Sequence, residues 1–347
     1  MNAVAAQVWP AEGLEVLGQC PVCASPRRHR LFTGLTDSVF RCAPGTWQLH
    51  CCEECLVSYL DPRPTAATIG AAYEGYYTHE STGERDEFAK LDFWRKARRL
   101  FSNSYTNVRY GTRFSPSSLL LSRAAALMPA LTRRLDTQFR WLPRPAPGAC
   151  LLDVGCGNGA FLRVAALAGW QAHGADPDPA AIALARRHTP LVRTGGIEAF
   201  QALHEHFDAI TLSHSIEHVH DPRQVLRIAR SLLKRDGVLF VDTPNTASRG
   251  LRRFGSNWRG LEPPRHLVLF HFESLSRLLE EEGFGDIRPI RRNTSFMMAC
   301  ASQMLRKGLS PYAAVPRNVR LAARAWAWRP FAATRKQEFV TLLARRA

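Results

Sequence analysis

No stretch of this chain is long and apolar enough to cross a bilayer, which takes about 20 consecutive apolar residues. The longest candidate, Leu119 to Leu131, is interrupted by Ser122 and Arg123. The first residues lack a basic region followed by an apolar core, so they do not read as a secretory leader. Internal repeats and low-complexity tracts are absent too. With 46% hydrophobic and 22% charged residues, the composition is that of a folded globular protein and excludes a disordered or fibrous one. The 347 residues suffice for about two domains.

Acidic residues are comparatively scarce. Asp and Glu number 30 against 46 Lys and Arg, a formal net charge of +16. That surplus suits an anionic partner such as nucleic acid, a phosphorylated substrate or an acidic membrane surface. It also suits arginine used simply for solubility. Without a leader, the nine cysteines are expected in a reducing, cytoplasmic setting, as metal ligands, core residues or catalytic groups rather than disulfides.

Four of them have metal-ligand spacing. Cys20-Pro-Val-Cys23 and Cys52-Glu-Glu-Cys55 are two C-x-x-C pairs. Each fits a tight turn that aims two thiolates at one ion, and four thiolates make a closed structural zinc site. The 28 residues between the pairs call for a hairpin or an inserted loop. Cys51, adjacent to Cys52, and Cys42 leave the ligand set open to exchange.

Composition divides the chain into a Cys-rich module over 1–70, a helical connecting region over 71–142, and an α/β domain over 143–347. A basic, Trp-containing insertion is expected at 296–335. In the α/β part, Cys150 to Val154 reads as a buried strand. The loop Gly155-Cys-Gly-Asn-Gly159 follows, then a helix through Phe161 and Ala168 that Gly169 terminates. Trp170 to Ala175 is the next strand and Asp176 closes it. Pro179 opens a helix, Phe207 to Ser213 is a strand, Asp221-Pro222 starts another helix, and Val238 to Val241 is a buried strand. Alternation of this kind means a parallel sheet with helices on its faces.

Glycines between a strand and a helix let the backbone turn sharply and let a ligand approach the helix N-terminus. Alone, this loop fits a dinucleotide or S-adenosylmethionine (SAM). Asp153 before it, and Asp176 at the end of the next strand, narrow the choice. Leu151-Leu-Asp-Val-Gly-Cys-Gly-Asn-Gly159 resembles the first motif of class I SAM-dependent methyltransferases, and Leu233-Lys-Arg-Asp-Gly-Val-Leu-Phe-Val241 resembles a later strand of that fold. The resemblance implies a Rossmann-like seven-stranded, mostly parallel sheet completed by a last strand at Glu338 to Leu343. It further implies that Asp153 orders the loop and approaches the methionine amine, that Gly155, Gly157 and Gly159 form the cradle, and that Asp176 holds the ribose hydroxyls. Pro177 or Asp178 would flank the adenine near Glu198, and Ser213 ends the fourth strand at the same site.

A second resemblance spans nearly the whole chain. The two C-x-x-C pairs, Leu60-Asp-Pro-Arg-Pro64, Tyr73-Glu-Gly-Tyr-Tyr77 and Pro264-Arg-His-Leu267 are similar to the methyltransferase domain 23 subgroup with an N-terminal zinc-binding region. Those proteins are encoded with glycan or secondary-metabolite pathways.

Methyl transfer to oxygen or carbon needs placement and a proton acceptor. His214, Glu217, His218 and His266 are the candidates. Either His218 or His266 acts as a base, or the four hold a divalent cation that acidifies a hydroxyl. Ubiquinone-pathway O-methyltransferases and small-RNA 2′-O-methyltransferases carry E-x-x-E-H at the corresponding place, and this chain has His214 where they have Glu. Alternatively Glu217-His218-Val219 merely shapes the loop. In the basic C-terminal segment, Arg317, Arg320 and Arg324 share one helical side, and Val319, Ala323 and Trp326 the other. Such a helix lies on an acidic membrane face or grips an anionic substrate. The expectation is a SAM-dependent methyltransferase acting on a small-molecule or glycan hydroxyl, cytoplasmic or peripheral to the inner membrane face. An RNA methyltransferase and a non-catalytic zinc scaffold are the alternatives.

Overall fold

The computed structural model describes residues 8–73, 92–292, 294–327 and 334–347. Of the aromatic motif at 73–77, all but Tyr73 lies outside the described residues.

The N-terminal segment forms β1 (Leu14–Glu15), β2 (Arg28–Leu35), β3 (Trp47–Cys52), β4 (Ser58–Leu60) and β5 (Arg63–Pro64). β2 and β3 are an antiparallel hairpin, and this hairpin takes up the long gap between the cysteine pairs. β3 pairs with β4 in the register Leu49↔Leu60. Asp61 fixes the turn at Leu60-Asp61: it accepts from the Leu17 and Gly18 N–H groups at 3.0 and 3.2 Å and pairs with Arg28.

Three helices follow: α1 (Phe93–Tyr110), α2 (Leu119–Ala124) and α3 (Pro129–Gln138). Asp92 caps α1 by accepting from Arg95 N, and Gly111 ends it in the left-handed region that glycine tolerates. Phe101, Ala125 and Leu135 form a small shared core. Asp136, buried beside it, accepts from the Tyr105 and Tyr110 hydroxyls at 2.7 and 2.6 Å.

The α/β part then runs β6 (Cys150–Val154), α4 (Ala160–Ala168), β7 (Gln171–Asp176), α5 (Pro179–Ala185), β8 (Val192–Thr194), β9 (Phe207–Ser213), α6 (Pro222–Leu232) and β10 (Leu233–Pro244). All five residues of β6 are buried, as a strand covered on both faces requires. β10 starts five residues ahead of its hydrophobic run, because backbone pairing rather than side-chain character sets the end of a strand. The chain continues through α7 (Arg249–Phe254), β11 (Val268–Leu269), α8 (Phe272–Glu281), β12 (Phe284–Pro289), α9 (Ser295–Arg306), α10 (Arg317–Ala327) and β13 (Phe339–Arg346). Seven strands make one sheet in the order β12-β13-β10-β9-β6-β7-β8. β6 pairs in parallel with both β7 and β9, and β7 pairs in parallel with β8. This is the Rossmann-like sheet that the glycine motif implies.

Contacts divide the chain into two compact units. One gathers the N-terminal segment, His214–Arg227 and Val241–Ala344. The Cys-rich strands are too few to enclose a core by themselves. Trp9, Trp47, Leu49 and Leu60 instead share one with Phe254, Trp258, Leu269 and Ala299. β11 joins the sheet β11-β4-β3-β2 through Val268↔Tyr59. The second unit holds α1 to Ser213, Ile228–Phe240 and the last three residues.

Within the first unit, Arg265 is fully buried. Its guanidinium grips Asp37 at 2.5 and 3.1 Å, donates to the Ala72 carbonyl at 2.8 Å and lies 4.4 Å over the Phe40 ring. Burial alone would raise the Asp37 carboxyl, yet the Arg265 charge holds it below the ordinary carboxylate range. Breaking such a pair strands the other charge. Arg265→Met is therefore expected to cost about 3–5 kcal/mol, read as a lowered urea midpoint. The double change with Asp37→Leu should recover part of that loss.

Candidate active site

Two clusters of chemistry-bearing groups lie one in each unit. The first surrounds the glycine loop. Gly155, Gly157 and Gly159 all have positive φ, at 77°, 53° and 80°. The Gly155 and Cys156 N–H groups donate to the Ala175 carbonyl, and the Gly157 N–H donates to Asp176 Oδ2 at 2.8 Å. Asp176 Oδ1 accepts from Asp178 N. The carboxylate at the end of β7 thus holds the loop at the end of β6. A Cβ on Gly157 would project into open space, whereas one on Gly159 would meet Ala185 Cα at 2.9 Å. Gly157 is therefore the position where a ligand can approach the backbone, and Gly159 is where α4 closes on α5.

Asp153 is buried, with one carboxylate oxygen accepting from Thr211 at 2.8 Å and pairing with Arg140. Its second oxygen, Oδ2, is buried without a partner. Burial pushes the Asp153 carboxyl upward, and Arg140 and Thr211 oppose the shift. Burial likewise raises Asp176. An unpartnered buried carboxylate oxygen, an open glycine and the first turn of α4 suit a ligand that carries an ammonium and hydroxyls. The residues present fit SAM. Glu198 is exposed and turns back to accept from Gly196 N at 2.8 Å. Gly195 beside it donates to the Asp176 carbonyl. Pro177 is exposed at the same loop, Asp178 caps α5, and Ser213 ends β9.

Arg140 carried no signal in the sequence, because it lies outside every motif. Its φ of 51° and that of Trp141 (53°) turn the chain back, and its guanidinium stacks 3.6 Å over the Phe161 ring. Only the fold reveals it as the partner of Asp153.

The second cluster lies in the other unit. Glu217 is completely buried, and its Oε2 has no hydrogen-bond partner. Ligand atoms of Glu217, His218 and His266 all lie within 4.8 Å of one another. His218 Nδ1 is 3.0 Å from the Arg265 carbonyl and 2.9 Å from the Tyr73 hydroxyl. His266 Nδ1 is 2.9 Å from the Gly260 carbonyl. A carbonyl only accepts, so both Nδ1 atoms carry the proton and both Nε2 atoms keep their lone pair. Burial lowers His218, and lowers His266 well below the ordinary histidine range, which favours the neutral rings. This anchoring through one ring nitrogen is the arrangement that orients metal-binding histidines.

His214 has positive φ (53°) and a half-exposed side chain. Its Nδ1 is 3.4 Å from Glu217 Oε1, and its Nε2 is 3.2 Å from Asp242 Oδ2. Asp242 is buried and also accepts from Thr341 at 2.6 Å. Asp242 and Thr341 went unread in the sequence, since isolated polar residues inside apolar strands carry no local pattern. His214, His218 and His266 border a cavity of about 830 Å³ together with Phe296, Met297 and Phe339. Arg259, Arg320 and Arg324 also line it. The apolar side of α10, Val319 and Ala323, is buried within the protein. Its basic side therefore serves the cavity.

At the N-terminus, the sulfurs of Cys20, Cys23, Cys52 and Cys55 lie within 4.8 Å of one another, with Cys20–Cys55 and Cys23–Cys52 at 3.5 Å. Each pair ends in the same turn: Ala24 N donates to Cys20 O, Leu56 N donates to Cys52 O, and both Ala24 and Leu56 have positive φ. The hydrogen bond from Cys55 draws the Cys20 thiol down to about 5. Cys42 points instead to Asp37 and the Ala72 carbonyl, and Cys51 lies outside the cluster.

The family model described as a methyltransferase domain matches residues 123–288. These are the residues that build the parallel strands, the glycine loop and the Glu217 cluster. Residues 123–288 thus match a methyltransferase domain. Ubiquinone biosynthesis O-methyltransferase of Cereibacter sphaeroides is 35% identical over 139 residues, covering 37% of this chain and 56% of that protein. The enzyme of that name from Xanthomonas campestris is 38% identical over 106 residues, covering 28% and 44%. The chain thus spans about half the length of the curated relatives it matches. A SAM-dependent methyltransferase structure from Archaeoglobus fulgidus is 21% identical and covers 61% of this chain and 94% of its own, with a TM-score of 0.43. Outside the methyltransferase domain stand the cysteine cluster, the hairpin β2–β3, α1, and α9 to β13.

Proposed function

We propose that the protein transfers the methyl group of SAM to a hydroxyl of a phosphorylated, small-molecule or sugar-containing acceptor. The observation that carries this reading is Glu217, whose Oε2 is buried without a partner and which lies within 4.8 Å of ring nitrogens of two histidines anchored through Nδ1. Two neutral imidazoles and a carboxylate are a donor set for a divalent cation. Glu217, His218 and His266 would hold it, and its chemistry is to lower the pKa of an acceptor hydroxyl. His214 lines the same cavity, with Nδ1 toward Glu217 and Nε2 toward Asp242, and would help to position Glu217. Phe296 lines one side of the cavity, and Arg320 and Arg324 offer charge to a phosphate, whereas Arg259 is paired with Glu262.

That lining supports nucleotide-linked or lipid-linked sugars as the acceptor class. Asp153, Gly155, Gly157 and Asp176 would hold SAM, and Cys20, Cys23, Cys52 and Cys55 a structural zinc ion. Sulfurs around tetrahedral zinc stand roughly 3.8 Å apart for bonds of about 2.3 Å, and the four here lie within 4.8 Å of one another. The test is incubation of the full chain with methyl-labelled SAM, a divalent cation and a panel of such sugars, with the product site read by NMR. O-methylation that fails in chelator bears the reading out. Transfer to RNA alone, or methylation of nitrogen, overturns it.

A further inference from the structure

The helical region α1–α3 takes no part in the chemistry above, yet its surface is unusual. Residues 92–142 contain ten Lys and Arg and only two acids, Asp92 and Asp136. Asp136 is buried against two tyrosines and contributes nothing to the surface. A cavity of about 470 Å³ opens between α1 and α3; Arg95, Arg98, Arg99 and Arg134 line it, and no acidic side chain lines it among the described residues. Phe114 and Phe139 supply an apolar floor.

Around the same helices, large apolar side chains stand in solvent. Phe93 is 73% exposed, Trp94 79%, Leu119 75%, Leu120 77% and Leu127 84%. Phe93 and Trp94 are side by side at the first turn of α1, directly before Arg95 and Lys96. Scattered single leucines on a surface mean nothing. Five large side chains on α1, α2 and the turn that follows α2, in a stretch with ten basic and two acidic residues, are a different matter.

We infer that α1–α3 dock on an anionic phospholipid bilayer, with the arginine-lined cavity receiving a lipid phosphate and the exposed aromatic and leucine side chains entering the interface. Charge complementarity selects an acidic surface, because anionic leaflets attract each basic residue near them. The apolar residues select a bilayer over RNA. Phosphate backbones reward arginine but give nothing to Leu119, Leu120 or Leu127. Tryptophan and phenylalanine, by contrast, settle at the headgroup level. This surface is separate from α10, whose apolar side is already buried.

The test is flotation of the full chain with vesicles of phosphatidylcholine alone or of phosphatidylcholine mixed with anionic phosphatidylglycerol. The protein should float with the acidic vesicles and not with the neutral ones. Phe93→Ser with Trp94→Ser should abolish flotation. Arg98→Gln and Arg134→Gln should each weaken the partition coefficient about fivefold. SAM titration of each variant checks that it is folded. Failure of the wild type to float with acidic vesicles overturns the inference. So does flotation that survives both sets of changes. A salt-sensitive shift of single-stranded RNA without flotation would replace the bilayer by nucleic acid.

Discussion

Glu217→Gln should lower methyl transfer by about 10²–10⁴, the range a positioned acid–base or metal-bound group supplies, while leaving SAM affinity within about twofold of wild type. The amide keeps the shape of the side chain and its hydrogen bond to His214, but not the negative charge. Glu217 has no exposure, and its Oε2 has no partner in the protein. A purely structural carboxylate buried this deeply would be paired. Replacing a paired carboxylate by the neutral amide would lower the midpoint and leave the activity of the folded protein intact. Single-turnover transfer from labelled SAM, measured beside the thermal midpoint, separates the two cases. A fall in rate with an unchanged or raised midpoint supports a role in chemistry. An unchanged rate removes Glu217 from it.

Loss of one cysteine of the N-terminal cluster should have the largest effect on stability. Cys52→Ser is expected to drop the tightly held zinc from about one per chain to near none, and to lower the melting temperature cooperatively. Structural zinc contributes about 10–16 kcal/mol in small metal-folded modules. Here the hairpin that bears Cys52 also feeds Trp47 and Leu49 into a core shared with Trp258 and Leu269. The damage should therefore reach beyond the knuckle, to the strand β11 that follows His266. Cys51→Ser and Cys42→Ser should leave zinc content unchanged, since both lie outside the cluster. Elemental analysis and circular dichroism melting with and without chelator check this. A melt indifferent to chelator and to Cys52→Ser would mean that the four thiols hold no structural ion.

Much of the parallel sheet was legible in the sequence, because its signals are local. A buried run, a glycine loop, a helix and a closing carboxylate follow one another in the stretch from Cys150 to Asp176, and the strand Phe207–Ser213 has the expected limits. The cysteine pairs were legible for the same reason. What the sequence did not show is long-range. Nothing near Arg140 marks it as the partner of Asp153, and nothing near Asp37 marks it as the counter-charge of Arg265, 228 positions away. The tautomers of His218 and His266 depend on the Arg265 and Gly260 carbonyls, which only a folded chain brings to them. His214 was readable as a candidate, but its placement between two buried carboxylates was not, because Asp242 comes from a strand further along. The basic C-terminal helix was correctly seen as two-sided. Which side is covered depends on α9, and pattern alone does not say.

The central claim is that the glycine loop binds SAM, and calorimetric titration of the purified full chain tests it most directly. Wild type should bind with micromolar affinity. Asp176→Ala removes the carboxylate that holds Gly157 and should weaken binding about 10–100-fold, the effect of losing charge-assisted hydrogen bonds of about 1.5–3 kcal/mol. A folded wild-type protein that gives no binding heat at several temperatures, with acceptor sugars present or absent, would contradict the account. So would an Asp176→Ala variant that binds SAM as well as wild type.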